Sequence, residues 1–176
     1  IAGASLGGMK GMHEQMLGLP YVHHVEQPYT FAHLGSLTPE AVGQQAAQSL
    51  ADKIDSIGAD QVAAFIAEPI QGAGGVIIPP DNYWPLIVEI CRERDVLIIS
   101  DEVICGFGRT GEMWGSQTMD VQPDMLTCAK ALSSTTSACL LTCQWHIPVL
   151  QIRKVCCGLL PKRNSVRWKW PARNCS

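Results

Sequence analysis

Three apolar runs in the first 130 residues each close on a side chain able to do chemistry. Val62-Ala63-Ala64-Phe65-Ile66-Ala67 runs into Glu68, and Leu97-Ile98-Ile99-Ser100 runs into Asp101 and Glu102. Met125-Leu126-Thr127-Cys128-Ala129 runs into Lys130. Near-continuous apolar runs of this length suit parallel strands covered on both faces. The C-terminal ends of such strands share one sheet edge, where α/β proteins bind ligands. Taken singly, Lys130 would be a surface lysine at a strand end and Asp101 a turn acid. Their order and their shared edge set them apart, and Asp101 and Lys130 are read as holding opposite ends of one cofactor ring.

The elements around these residues are legible from their punctuation. Thr38-Pro39-Glu40 combines a capping hydroxyl, a first-turn proline and a first-turn acid. Val42, Ala46, Leu50, Ile54 and Ile57 follow at helical spacing, and Gly58 supplies a stop. Pro79-Pro80-Asp81 predicts a second helix over 82–94 with Asp81 as its N-cap, and Pro85 falls within its first turn. Strand 96–100 comes directly after. The order strand, helix, strand, loop, strand argues for an α/β layer with parallel strands. Residues 1–37, rich in Gly, Met and His, are read as connections.

Other signals compete for attention. Gly106-x-Gly108-x-x-Gly111 matches the dinucleotide fingerprint in form. Asp101 and Glu102 stand between strand and glycines, however, and Glu112-Met113-Trp114-Gly115 is a poor start for a phosphate-binding helix. The pattern is therefore set aside. His23-His24 invites a metal, but neighbours on a strand face opposite sides, so both are read as loop or surface histidines. Cys139, Cys143 and His146, with Cys156-Cys157 beyond, fit no common zinc spacing and are read as unpaired thiols. No metal is expected.

Composition bounds the rest. The chain has 176 residues, 47% hydrophobic and 16% charged, with a net charge of −3. That net value hides an asymmetry: the last 46 residues carry no acid and seven bases, whereas all 16 acids precede them. Five of the eight cysteines also fall in this tail, while Cys91, Cys105 and Cys128 sit in apolar contexts as ordinary buried thiols. The closing Val166-Arg167-Trp168-Lys169-Trp170 interleaves bases and tryptophans, but it is too short to carry a nucleic-acid or membrane-surface reading. No run has the length of a transmembrane helix, and Ile1-Ala2-Gly3-Ala4-Ser5 has neither an initiator Met nor a charged leader. The chain is read as beginning within a protein, in the cytoplasm, with no membrane and no nucleic acid among its partners.

Three stretches resemble the class III (omega-amino acid) aminotransferases, pyridoxal 5'-phosphate (PLP) enzymes of fold type I. They are Val62 to Gly75 with Glu68-Pro69-Ile70-Gln71-Gly72, Ser100 to Gly111 with Asp101-Glu102-Val103 and Gly106-Phe107-Gly108-Arg109-Thr110-Gly111, and Pro123 to Lys130. The resemblance runs from about Ala2 to Ser134. Gly3-Ala4-Ser5-Leu6-Gly7-Gly8-Met9-Lys10 and Pro79-Pro80-Asp81 through Tyr83-Trp84-Pro85 are most similar to the branch that passes amino groups from putrescine, β-alanine, taurine or similar amines to pyruvate. The resemblance implies an α/β fold, part of a large, mostly parallel-sheet domain, and a homodimer in the intact enzyme. It implies Lys130 as the Schiff-base lysine and Asp101 as the partner of the pyridine nitrogen. A carboxylate there keeps the ring protonated and electron-withdrawing. Val103, two residues on along the same strand face, is expected to pack on the ring. Glu68 is expected as the glutamate that pairs with a substrate-binding arginine. Ile104 stands where some relatives have a glutamine, so no bond to the ring hydroxyl is expected, and the glycine loop with Arg109 is expected to shape the site.

The resemblance implies two regions: residues 1–134 as a partial PLP-binding domain, and 135–176 as a basic, Cys-rich tail unlike the family. The jump in charge and cysteine content at Ser134 is read as a shift of reading frame, since Thr135 to Leu141 in another frame can encode Tyr-Leu-x-(Leu/Met/Val)-Ser-Ala. The phosphate-binding turn, the stacking aromatic and the substrate-carboxylate arginine are not found in these residues, so this piece alone is expected to be inactive. Two alternatives stay open: a PLP aminomutase or decarboxylase of the same fold, and a non-catalytic remnant with a binding tail. Amine donor and 2-oxo acid acceptor are the expected small-molecule partners.

Overall fold

The computed structural model describes residues 2–14 and 18–130. The tail from 135 on, with its thiols and its tryptophan-rich end, lies outside the described residues. The first stretch forms two short helices, α1 (Ala2–Leu6) and α2 (Lys10–His13), where connections were expected, and a 3-10 turn follows over Thr30–His33. The long helix α3 spans Pro39–Ile57. Its cap is the one expected: Thr38 Oγ1 accepts the Ala41 N–H at 3.3 Å, and Pro39 occupies the first turn. It stops at Gly58, whose φ of 96° is open to glycine and closed to most residues, and whose N–H donates to the Ile54 carbonyl at 2.9 Å. Val42, Ala46, Leu50 and Ile54 form its buried face, while Ile57 at the last turn is half-buried.

Strand β1 (Ala64–Ala67) leads through a Gly-rich turn to helix α4 (Tyr83–Glu93), then to β2 (Leu97–Asp101). Helix α4 differs from expectation at its start. Its N-cap is Asn82 rather than Asp81, and it makes no side-chain cap bond. The chain already turns there by a Pro80 carbonyl to Tyr83 N–H bond of 2.9 Å, and the Asn82 amide donates across to the Glu40 carbonyl at 2.8 Å. That bond ties the start of α4 to the start of α3.

After β2 come a long turn, the four-residue helix α5 (Gly115–Thr118) and the short strand β3 (Met125–Thr127). The three strands form one parallel sheet in the order β1-β2-β3, with Ala64 opposite Leu97, and Asp101 opposite Thr127. The central strand is buried on both faces: Ile98 and Ser100 on one face are at or below 1% exposed, and Ile99 on the other is 6% exposed. The core lies between the sheet and the paired helices, where Ala46, Leu50 and Ile54 of α3 meet Trp84, Ile87 and Cys91 of α4. Cys91 and Cys105 are buried cysteines, as expected, and Cys128 is half-buried. Among the described residues no helix is long and apolar enough to cross a membrane.

The start of β3 is pinned by one acid. Asp124 exchanges two bonds with Ile98, its N–H to the Ile98 carbonyl and its Oδ2 from the Ile98 N–H, both at 2.8 Å. Arg92 Nη1 forms an ion pair with the same carboxylate, reaching its two oxygens at 2.9 and 3.0 Å. This fixes the β2–β3 register that decides what stands opposite Asp101.

Candidate active site

Asp101 is the last residue of β2 and faces the last residue of β3. Its Oδ1 accepts two hydrogen bonds, from the Val103 N–H at 3.1 Å and from the Thr127 hydroxyl at 3.0 Å. Neither bond uses Oδ2. The strand ends are joined again one residue on, where the Glu102 N–H donates to the Thr127 carbonyl at 2.8 Å. A carboxylate held by one oxygen, with the other free of these bonds, can present a fixed negative charge to a cationic ligand atom.

The two acids at the end of β2 have separate tasks. Glu102 is fully buried and is spent on structure. Its Oε1 accepts from the Ser100 hydroxyl at 3.0 Å and the Ser116 N–H at 2.7 Å, and its Oε2 accepts from the Gly115 N–H at 2.8 Å. An anion on the first N–H groups of a helix satisfies donors that lack an intrahelical partner. The first helix after the glycine loop is therefore already occupied by the chain's own carboxylate, so the N–H groups that a phosphate would need are spent. Gly115 allows the approach: a Cβ there would lie 3.1 Å from Glu102 Oε2 and 3.1 Å from Pro69 Cβ, and would strike Cys105 Cβ.

The loop between these anchors is closed on itself. The Phe107 N–H donates to the Met113 carbonyl at 2.7 Å, and the Phe107 and Trp114 rings lie 5.1 Å apart. Cys105 donates its thiol to the Ile70 carbonyl at 3.2 Å, linking this loop to the turn after β1, and burial pushes its pKa up. The glycine loop is thus a cross-tied turn that follows the end of β2.

Glu68 follows β1 directly, and its Oε2 accepts the Gly72 N–H at 3.0 Å. Glu68, Asp101 and Thr127 line one open cleft of about 1230 Å³, whose lining also includes His23, Glu26 and Tyr83. Val103 is placed differently from expectation. The strand ends at Asp101, so Val103 lies in the following turn and reaches the acid through its backbone N–H. Lys130 lies past the end of β3, exposed, with a left-handed φ of 54°. Neither Val103 nor Lys130 is part of the cleft wall formed by the described residues. His23 and His24 are not on a strand, and His24 stacks on His13 with ring centroids 4.9 Å apart.

Sequence reasoning missed Glu102 and Thr127. Side-chain alternation along a strand would have separated Glu102 from Asp101, since neighbours point to opposite faces. Thr127 needed the register, which no local pattern prints.

Comparison with known proteins places this geometry in a family. Residues 3–147 match the family model described as aminotransferase class-III, which carries the match past Ser134, where the resemblance was expected to end. The chain is 55% identical over 135 residues to the putrescine–pyruvate aminotransferase of Pseudomonas aeruginosa, covering 76% of this chain and 30% of that protein. It is 46% identical over 133 residues to the vanillin aminotransferase of Capsicum frutescens, covering 74% of this chain and 29% of that one. The omega transaminase of Pseudomonas jessenii in complex with PMP superimposes with a TM-score of 0.73 at 46% identity, over 77% of this chain and 30% of the other. The chain spans under a third of the length of these relatives. With a parallel sheet ending in Asp101 and Thr127, and a family match over most of its length, the chain belongs to the class III aminotransferases.

Proposed function

We propose that residues 1–134 are the ring-holding part of a PLP-dependent aminotransferase, which in its full-length form moves an amino group from an ω-amine or ω-amino acid to pyruvate or another 2-oxo acid. The observation that carries this is Asp101, a carboxylate fixed through Oδ1 at the end of the central parallel strand. Its chemistry fits the cofactor, because a fixed anion suits the protonated nitrogen of a pyridine ring. Bound PLP supplies an electron sink for the electron pair left when a substrate C–H bond is broken. Asp101 would hold the ring nitrogen in its protonated form. Lys130 would hold the cofactor through its amine and, once released, carry the proton between substrate carbon and cofactor carbon. Glu68 would stand at the substrate side of the cleft, available to an arginine, and Val103 would pack beside the ring.

The name of the 55%-identical relative, putrescine–pyruvate aminotransferase, supports a diamine donor and pyruvate as acceptor. The same reading carries a homodimer and a cytoplasmic location. It also keeps a basic, Cys-rich tail over 135–176, of which the family model matches residues up to 147. The test is a donor panel on the full-length protein carrying this segment, with putrescine, β-alanine and taurine against pyruvate. Alanine formed in step with loss of the donor amine is expected. Carbon dioxide release or amine migration without alanine would overturn the transaminase reading.

A further inference from the structure

We propose that Thr127 is a positioning residue for the ring-binding carboxylate, and that its hydroxyl sets which oxygen of Asp101 meets the cofactor. The inference rests on the reading of Asp101 just given. Register places Thr127 opposite Asp101, and its Oγ1 lies 3.0 Å from Asp101 Oδ1. The Val103 N–H reaches the same oxygen at 3.1 Å. One backbone donor alone leaves a carboxylate free to turn about the bond joining it to its Cβ. A second donor from the neighbouring strand fixes its plane and commits Oδ1, so that Oδ2 is the atom presented.

The placement of Thr127 is itself held from both ends of β3. Its carbonyl accepts the Glu102 N–H at 2.8 Å, and the start of the strand is tied by Asp124 to Ile98 and Arg92. The hydroxyl therefore sits on a strand that cannot slip without breaking these bonds. Thr127 also lines the cleft beside Asp101 and Glu68, so the bond lies at the wall of the site rather than deep beneath it. The same short strand leads to Lys130, so the end of β3 positions both partners of the cofactor: one through a hydroxyl, the other through the chain.

The test compares Thr127→Val, which keeps the shape and removes the hydroxyl, with Thr127→Ser, which keeps the hydroxyl, in the full-length protein loaded with PLP. Two readouts are used besides activity: the dissociation constant of PLP, and the pH midpoint of the bound cofactor's absorbance change. T127V is expected to weaken PLP binding about tenfold, because a carboxylate no longer held in one plane must be ordered as the ring binds. It is also expected to move the midpoint to higher pH, because a ring nitrogen less firmly protonated draws less electron density from the lysine linkage. T127S is expected to stay within about twofold of the parent protein in affinity. If T127V does not fold, Thr127→Ala carries the same expectations. A T127V protein with unchanged midpoint and affinity would overturn the proposal, as would a T127S protein as impaired as T127V. A parent protein with no cofactor band at all would instead overturn the reading of the site on which it rests.

Discussion

At the scale of single residues, the end of β2 separates two acids that are neighbours in the chain. Asp101 is held by a backbone N–H and the Thr127 hydroxyl, at 3.1 and 3.0 Å, and keeps Oδ2 clear of both. Glu102 is fully buried against the first N–H groups of α5 and the Ser100 hydroxyl. The difference predicts opposite phenotypes. Glu102→Ala leaves three buried donors without an acceptor and is expected to cost about 3 kcal/mol of stability. Asp101→Asn keeps the fold and loses the fixed charge. Denaturant titration of the two variants checks this, and an E102A loss below about 1 kcal/mol would show that the buried carboxylate is not the anchor described. Asp101 was legible as a strand-end residue because its apolar run stops visibly, whereas β3 ends at Thr127, short of the Ala129-Lys130 end that its apolar run suggested. The clamp on Asp101 was not legible, because a hydroxyl on a neighbouring strand becomes a partner only through register.

At the scale of elements, the helices followed local punctuation and the site followed pairing. Thr38, Pro39 and Gly58 bound α3 as the sequence predicts, since a cap is a local bond between near neighbours. Thr38→Ala is expected to lower stability by about 1 kcal/mol, read as a lower denaturation midpoint with an unchanged slope. The start of α4 moved from Asp81 to Asn82 because the deciding contact, to the Glu40 carbonyl, comes from another helix. A second tertiary tie joins these helices by charge: Arg94 binds Asp55 at 2.8 and 3.0 Å. The hydrogen bond from Arg94 lowers the Asp55 pKa below its usual 3.8. A depressed carboxylate contributes stability that is present above the unfolded pKa and lost as pH falls through the folded value. The prediction is that Asp55→Asn is slightly less stable than the parent at neutral pH and converges with it as pH falls below about 4, so that its acid limb is shallower. An unchanged acid limb of the thermal midpoint against pH would contradict it. Salt should shrink the difference between the two proteins, because the pair is exposed.

At the scale of the whole molecule, one parallel sheet gathers residues from three distant stretches of chain. Glu68, Asp101 and Thr127 meet at one cleft because parallel strands end on the same edge, a rule that apolar runs alone made readable. His23 and Glu26, which also line the cleft, come from a stretch without periodicity, where neither strand nor helix spacing gives a position in advance. Lys130 is the residue on which the account depends most. It stands just past β3, exposed and in a left-handed backbone conformation that is uncommon for a lysine. The most direct measurement is to load the full-length protein carrying this segment with PLP, reduce it with borohydride and map the modified peptide by mass spectrometry. The account predicts a phosphopyridoxyl group on Lys130, and none after Lys130→Ala. A stable adduct on another lysine such as Lys53, with Lys130 unmodified, would contradict it.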